Sequence, residues 1–185
     1  MATILQAKRY ATTAAQQTAL VLAQEQITSL RRLYALATDA LGKTADASSA
    51  QYGLEVYHQI FTPDADIQVS GATLKALRGT GPDAWADVVR NALHPYLATQ
   101  HLIGSQVVDF TQLEWDTLQV DPANFRSGRA RMESYVQAWH AWPDKRLRLV
   151  LGTYHDEVIF HPEHGWRICA MNLEHISGEE RTLGD

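Results

Sequence analysis

A chain of 185 residues, 45% of them hydrophobic, can bury one substantial core and is short for two. Its 16 basic against 21 acidic residues give a net charge of −5, and no basic run exceeds a pair such as Arg31-Arg32 or Lys145-Arg146, which argues against nucleic acid or an anionic membrane as a partner. The lone Cys169 excludes an internal disulfide and fits a reducing, cytoplasmic setting; its apolar neighbours Trp166, Ile168 and Ala170 suit a packed thiol better than a nucleophile.

Residues 1–22 mix Ala, Thr and Gln without a continuous apolar run, so they read as an N-terminal arm, with no signal peptide and no transmembrane span expected. Ile27, Leu30, Leu33, Tyr34, Ala37 and Leu41 then recur at three- and four-residue steps, which predicts an amphipathic helix over about 22–41. A small, polar loop over 42–50 leads to a second helix over about 51–60. Pro63-Asp64 turns the chain into a short strand over 65–69. Gly81-Pro82-Asp83 opens a third helix, whose buried stripe is Trp85, Val88, Val89, Leu93 and Tyr96.

Four extended segments follow, about 99–110, 129–142, 146–160 and 165–175. They are separated by turns at Asp121-Pro122-Ala123-Asn124, Pro143-Asp144 and His161 to Gly165. Helices first and strands last predict an α+β fold: a cone with its helices packed in the concave face of a curved antiparallel sheet. One domain spans 23–176, with a tail over 177–185.

Four local patterns, in order, carry a family resemblance: Tyr34-Ala35-Leu36-Ala37-Thr38-Asp39, Phe61-Thr62-Pro63-Asp64-Ala65, Thr99-Gln100-His101-Leu102-Ile103-Gly104, and Gly152-Thr153-Tyr154-His155-Asp156 followed by Gly165-Trp166-Arg167-Ile168. Over about 26–174 the chain resembles the SnoaL-like branch of the nuclear transport factor 2-like superfamily. The third pattern is nearest to scytalone dehydratase, and the tyrosine five residues before an aspartate is similar to the bile-acid dehydratases. The resemblance implies a lyase or isomerase needing neither metal nor organic cofactor, acting on a small, hydrophobic, hydroxylated aromatic or polycyclic compound by elimination of water or retro-aldol loss of formaldehyde.

Such chemistry needs a base for a carbon-bound proton, an acid for the departing oxygen and a donor for the enolate-like intermediate. The resemblance assigns the proton to His101, its support to Asp39, and substrate polarisation to Tyr34 and His140. Asp39 also stands out physically, since a negative charge is disfavoured near a helix C-terminus. Tyr34 and Asp39 lie about 140° apart on an ideal helix and meet one ligand only if the pocket wraps the helix end. Tyr154 and His155 are adjacent on a strand, so only one can face the cavity; the register of the Gly165-Trp166 motif favours His155. Tyr135, Trp139 and Trp85 complete the expected substrate-binding set.

Departures from the dehydratases are Thr38 before the aspartate where scytalone dehydratase has tyrosine, no tyrosine over 66–70, and no acid over 137–140. No metal is expected, because no His-Glu-x-x-His or His-x-His occurs, and His161 and His164 flank a solvated turn. Rival readings are a non-catalytic binder of hydrophobic ligands and a structural small subunit of a ring-hydroxylating oxygenase. The open sheet face of such a fold predicts a homodimer or homotrimer.

Overall fold

The computed structural model describes residues 10–43, 46–71, 76–116, 124–182 and 184. In chain order these form α1 (Ala14–Leu41), α2 (Ala47–Ile60), β1 (Phe61–Gly71), β2 (Leu77–Thr80), α3 (Gly81–Leu93), β3 (Ala98–Trp115), β4 (Phe125–Ala141), β5 (Arg146–His161) and β6 (Gly165–Thr182). The six strands make one open sheet in the order β2-β1-β6-β5-β4-β3. All neighbours are antiparallel except β1 and β6, which run parallel, so the sheet is mixed. The three helices pack against one face of it.

α1 begins well before the expected start. Thr13 caps it by accepting from the Gln16 backbone N–H at 3.2 Å, and Leu20 and Ala23 are already buried. The described part of the supposed arm is therefore mostly helix, with Ala11, Gln16 and Leu20 buried. Trp115 fixes the segment ahead of the helix by donating its indole N–H to the Tyr10 carbonyl at 2.7 Å. α2 likewise starts inside the expected loop, because Asp46 accepts from the backbone N–H groups of Ser48 and Ser49; the hydroxyls of the same two serines, and then those N–H groups, hold its carboxyl down at about 2. Gly53 lets α2 lie directly on α1: a Cβ there would sit 2.7 Å from the Ala37 carbonyl and from Leu41. Gly81, at φ +77°, turns the chain into α3 where a Cβ would fall 2.4 Å from the Pro63 carbonyl oxygen.

Strand alternation divides the sheet. Along β4, Ala130, Met132, Ser134, Val136, Ala138 and His140 are buried toward the helices, and the residues between them face out. β3 keeps to this rule only through a bulge between Gly104 and Val107, where Ser105 takes φ +46°. The extra residue lets His101 and Ile103 share the inner face with Val108 and Phe110. Without it, His101 would point the way of Val107 and Asp109, out to solvent. β6 runs on to Thr182, pairing with β5 beyond the expected end at His175. The turn at 121–123 lies outside the described residues.

Behind the helices the core holds a buried ion pair. Arg31 of α1 and Asp156 of β5 are both fully buried, with Arg31 Nε 3.2 Å from Asp156 Oδ2, and the guanidinium lies over the rings of Tyr154 (3.8 Å) and Tyr34 (4.5 Å). Burial works against the charge on Arg31, but the Asp156 carboxylate overrides it and holds the guanidinium pKa above its ordinary value.

Candidate active site

The C-terminal turn of α1 meets the start of β3. Asp39 Oδ1 accepts the Thr99 hydroxyl at 2.8 Å and lies 2.7 Å from His101 Nδ1, while Oδ2 accepts the His101 backbone N–H at 3.0 Å. Three donors converge on one carboxylate, which offsets its unfavourable place in the helix dipole. Because a carboxylate only accepts, the contact assigns the His101 proton to Nδ1 and leaves the Nε2 lone pair free to take a proton. The His101 side chain is 9% exposed and that of Asp39 19%.

His101 lines a cavity of about 170 Å3 between the helices and the inner sheet face. Around it stand Tyr34 and Thr38 of α1, Trp85 and Val89 of α3, Tyr96, His140 of β4, and Arg148 and Tyr154 of β5. Asp39 itself is behind His101, outside the lining. The angular problem on α1 thus disappears: the Tyr34 and Thr38 face meets the cavity, and Asp39 reaches sideways to β3.

Tyr34 accepts the Trp85 indole N–H at 3.2 Å, and its hydroxyl also shares hydrogen bonding with those of Tyr57 and Tyr154. Its ring stacks on Tyr57 at 5.4 Å and meets Tyr154 edge-on at 5.6 Å, and Tyr57 in turn bonds Thr38 at 2.7 Å. Burial pushes the Tyr57 and Tyr154 phenols well above their ordinary range, so both stay neutral.

His140 sits 5.7 Å from the His101 ring and 4.8 Å from that of Tyr96. Burial first, then the neighbouring His101, pull its pKa down to about 4; the Arg148 side chain adds to the effect, and the Arg148 backbone and Asp39 offset part of it. Its Nδ1 is buried without a hydrogen-bond partner. A histidine that is neutral at pH 7 can donate a hydrogen bond to a substrate oxygen and is a poor reservoir of protons.

Three expected residues are elsewhere. On β5, Tyr154 faces the cavity and His155 the opposite face, where it lies 3.2 Å from Glu174 and 3.7 Å from Glu133. Tyr135 and Trp139 occupy outward positions of β4: Tyr135 is 54% exposed, and the Arg181 guanidinium lies over the Trp139 ring. The reason is the two-residue period of a strand, which puts Val136, Ala138 and His140 inside and their neighbours outside. A wider groove of about 450 Å3 on that outer face is lined by Asp66, Asp109, Arg131, Glu133, His155 and Glu157 among others; this histidine and these carboxylates are solvent-exposed, whereas the Asp39–His101 pair is largely buried, so the smaller cavity is the candidate site on chemistry.

Sequence reading missed Thr99, Tyr96 and Arg148. The last had a signal: counting outward from the turn at Asp144 pairs His140 with Arg148, as the structure does. Cys169 is partly buried, its thiol 3.4 Å from the Glu157 carbonyl and raised in pKa chiefly by burial. His161, Glu163 and His164 bring their ligating atoms within 4.8 Å of one another on an exposed turn outside the cavity.

A family model for the SnoaL-like domain matches residues 19–172. The chain belongs to the SnoaL-like family. No curated protein matches it in sequence. Among solved structures, a protein from Novosphingobium aromaticivorans provisionally assigned as a scytalone dehydratase is 17% identical over 90% of this chain and 93% of its own, with a TM-score of 0.62. A type 2 hexachlorocyclohexane dehydrochlorinase is 13% identical over 91% and 97%, at 0.58. The β subunit of a provisionally assigned aromatic-ring-hydroxylating dioxygenase from N. aromaticivorans is 19% identical over 84% and 90%, at 0.56. At these identities the likeness establishes the fold that this SnoaL-like chain shares with these three proteins. Among the described residues no helix is long and apolar enough to cross a membrane.

Proposed function

We propose that this SnoaL-like protein is a cofactor-independent lyase that eliminates water, or releases a small carbonyl by retro-aldol cleavage, from a hydroxylated aromatic compound. The observation that carries the reading is the Asp39–His101 pair, held by three hydrogen bonds with the imidazole on the wall of a cavity that also presents Tyr34 and His140. In a dehydration His101 Nε2 takes the proton from carbon, the C–H electrons become the new C=C bond, and the C–O bond breaks. The departing oxygen leaves as water with a proton returned by the His101 imidazolium. In a retro-aldol step the same nitrogen takes the hydroxyl proton, the O–H electrons become the C=O bond of the released carbonyl, and the C–C electron pair passes to the ring-side carbon, which takes the proton back from the imidazolium.

Asp39 steadies the imidazolium in either case. Tyr34 and neutral His140 donate to the oxygen on which negative charge develops. A cavity near 170 Å3 suits one substituted ring and is small for a polycyclic compound. The exposed Leu102, Val107, Tyr135 and Ile176 of β3, β4 and β6 suit coverage by a second copy.

The test is turnover of a panel of single-ring phenols bearing a hydroxylated side chain, by wild type and His101→Ala, with loss of water or formaldehyde followed by mass spectrometry. Turnover of one member by the wild type and its loss in a folded His101→Ala variant is the expected result. Ligands that bind both proteins equally and are never converted would move the protein to the non-catalytic binders.

A further inference from the structure

Arg148 is half-buried at the rim of the cavity, and among the described residues no carboxylate forms an ion pair with it. Among the described residues its side-chain hydrogen-bond partner is the Tyr96 hydroxyl, which accepts from Nη1 at a long 3.5 Å. Glu180 stands opposite it in the β5–β6 register, yet is solvent-exposed and unpaired with it. Arg31, which is buried more deeply, is treated differently and has Asp156 as a dedicated counter-charge. A guanidinium partly stripped of water and left without an anion is an unfavourable arrangement, which an incoming anion relieves.

The surroundings say where that anion would sit. Arg148 lines both the cavity, beside Tyr96 and His140, and a small outer recess with His175, Ser177 and the exposed Glu179 and Glu180, neither of which forms an ion pair with it, so it bridges interior and solvent at the rim. His140 is its direct cross-strand partner and the ring neighbour of His101. His101, His140 and Arg148 therefore follow one another across β3, β4 and β5. A ligand whose reacting carbon lies at His101 and which runs along the sheet past His140 would direct its far substituent toward Arg148.

Resting on the lyase reading above, we propose that the substrate carries a carboxylate, bound by Arg148 at the rim while the hydroxylated carbon faces His101. A carboxylate matches the planar fork of the guanidinium, which keeps donors beyond the one used on Tyr96. Neutral His140, lying between, orients the ligand without adding a second positive charge. The alternative is that Arg148 meets only the oxyanion formed during reaction; that role leaves ground-state binding of a carboxylate indifferent to the side chain.

Binding separates the two. Isothermal titration calorimetry of the full chain at pH 7.5 would use 4-hydroxybenzoate, vanillate and 4-hydroxycinnamate against their carboxamides, with wild type, Arg148→Gln, Arg148→Lys and His101→Ala. Charge-assisted pairing predicts that wild type prefers the acids by about ten- to a hundredfold. Arg148→Gln should abolish the preference without weakening the amides, Arg148→Lys should keep part of it, and His101→Ala should keep all of it. Raising the salt should weaken acid binding only. Equal binding of acid and amide to wild type, no binding of the acids, or a preference that survives in Arg148→Gln overturns the proposal. Turnover is scored separately: conversion of neutral phenols with no acid preference removes this proposal and keeps the lyase, and acid preference without any conversion does the reverse.

Discussion

Replacing His140 with phenylalanine should flatten the acid side of the stability profile. The ring volume and the packing against Tyr96 are kept, while the titrating nitrogen is removed. In the folded chain His140 has its pKa depressed from the ordinary 6.5 to about 4, chiefly by burial. Between those values the unfolded state binds the proton and the folded state does not, so acid favours unfolding. The term is absent above about pH 7, grows as pH falls through 6.5, and levels off below 4. At about 1.4 kcal/mol per pK unit the whole gap is worth about 3 kcal/mol, and about 2 kcal/mol of it has been lost by pH 5. Urea unfolding of wild type and His140→Phe at pH 7.5 and pH 5.0 reads it directly, because titrations common to both proteins cancel in the difference. Wild type should lose about 2 kcal/mol more than the variant between the two pH values. Parallel losses would refute the claim that His140 is buried neutral, and with it the assignment of His140 as a neutral donor.

Asp39→Asn should leave the fold intact and lower kcat by about a thousandfold, since an amide no longer fixes the Nδ1–H tautomer or steadies the imidazolium; single-turnover kinetics on any substrate found above measures it. Asp156→Ala strands the buried Arg31 charge and should cost about 3–5 kcal/mol in urea unfolding, most of it regained in the Arg31→Met, Asp156→Leu double variant. Gly81→Ala should lower the thermal midpoint by an amount corresponding to about 1–3 kcal/mol, because the alanine Cβ would fall 2.4 Å from the Pro63 carbonyl oxygen at φ +77°. Tyr34→Phe should keep the fold and slow turnover roughly tenfold or more while binding of a substrate analogue changes little, as expected of a donor used on developing charge.

Much of this architecture is legible from residue pattern. Three helices ahead of four long strands follow from apolar periodicity, because amphipathic faces must be buried against something and one sheet can take all three. What pattern could not supply was the parallel pairing of β1 with β6, which joins segments about a hundred residues apart through hydrogen bonds that carry no side-chain signature. The early start of α1 escaped for a related reason: Leu20 and Ala23 are buried by tertiary contact, while their Ala, Thr and Gln neighbours give periodicity nothing to register.

The site divides along the same line. Asp39 and His101 stand in recognisable strings, whereas His155 was favoured over Tyr154 because a motif alignment cannot count strand parity across the β5–β6 register shifts at 151/152 and 157/158. Hairpin counting from Asp144 would have placed Arg148 beside His140.

The bulge in β3 shows how a local irregularity gives the site its chemistry. Phe110 and Val108 must face the helices to complete the core, and strict alternation from them would turn His101 outward, away from Asp39. One extra residue at Gly104 to Gln106, at the cost of Ser105 in a left-handed conformation, satisfies both ends of the strand. Gln106, brought inward by the same irregularity, donates to the Thr28 carbonyl of α1 at 2.9 Å, tying the bulge to the helix that carries Asp39. The distance between carboxylate and imidazole is thus set by two attachments of β3 to one helix, at Gln106 and at Thr99. A site built on a loop would leave that distance to chance; here it follows from the register of the sheet.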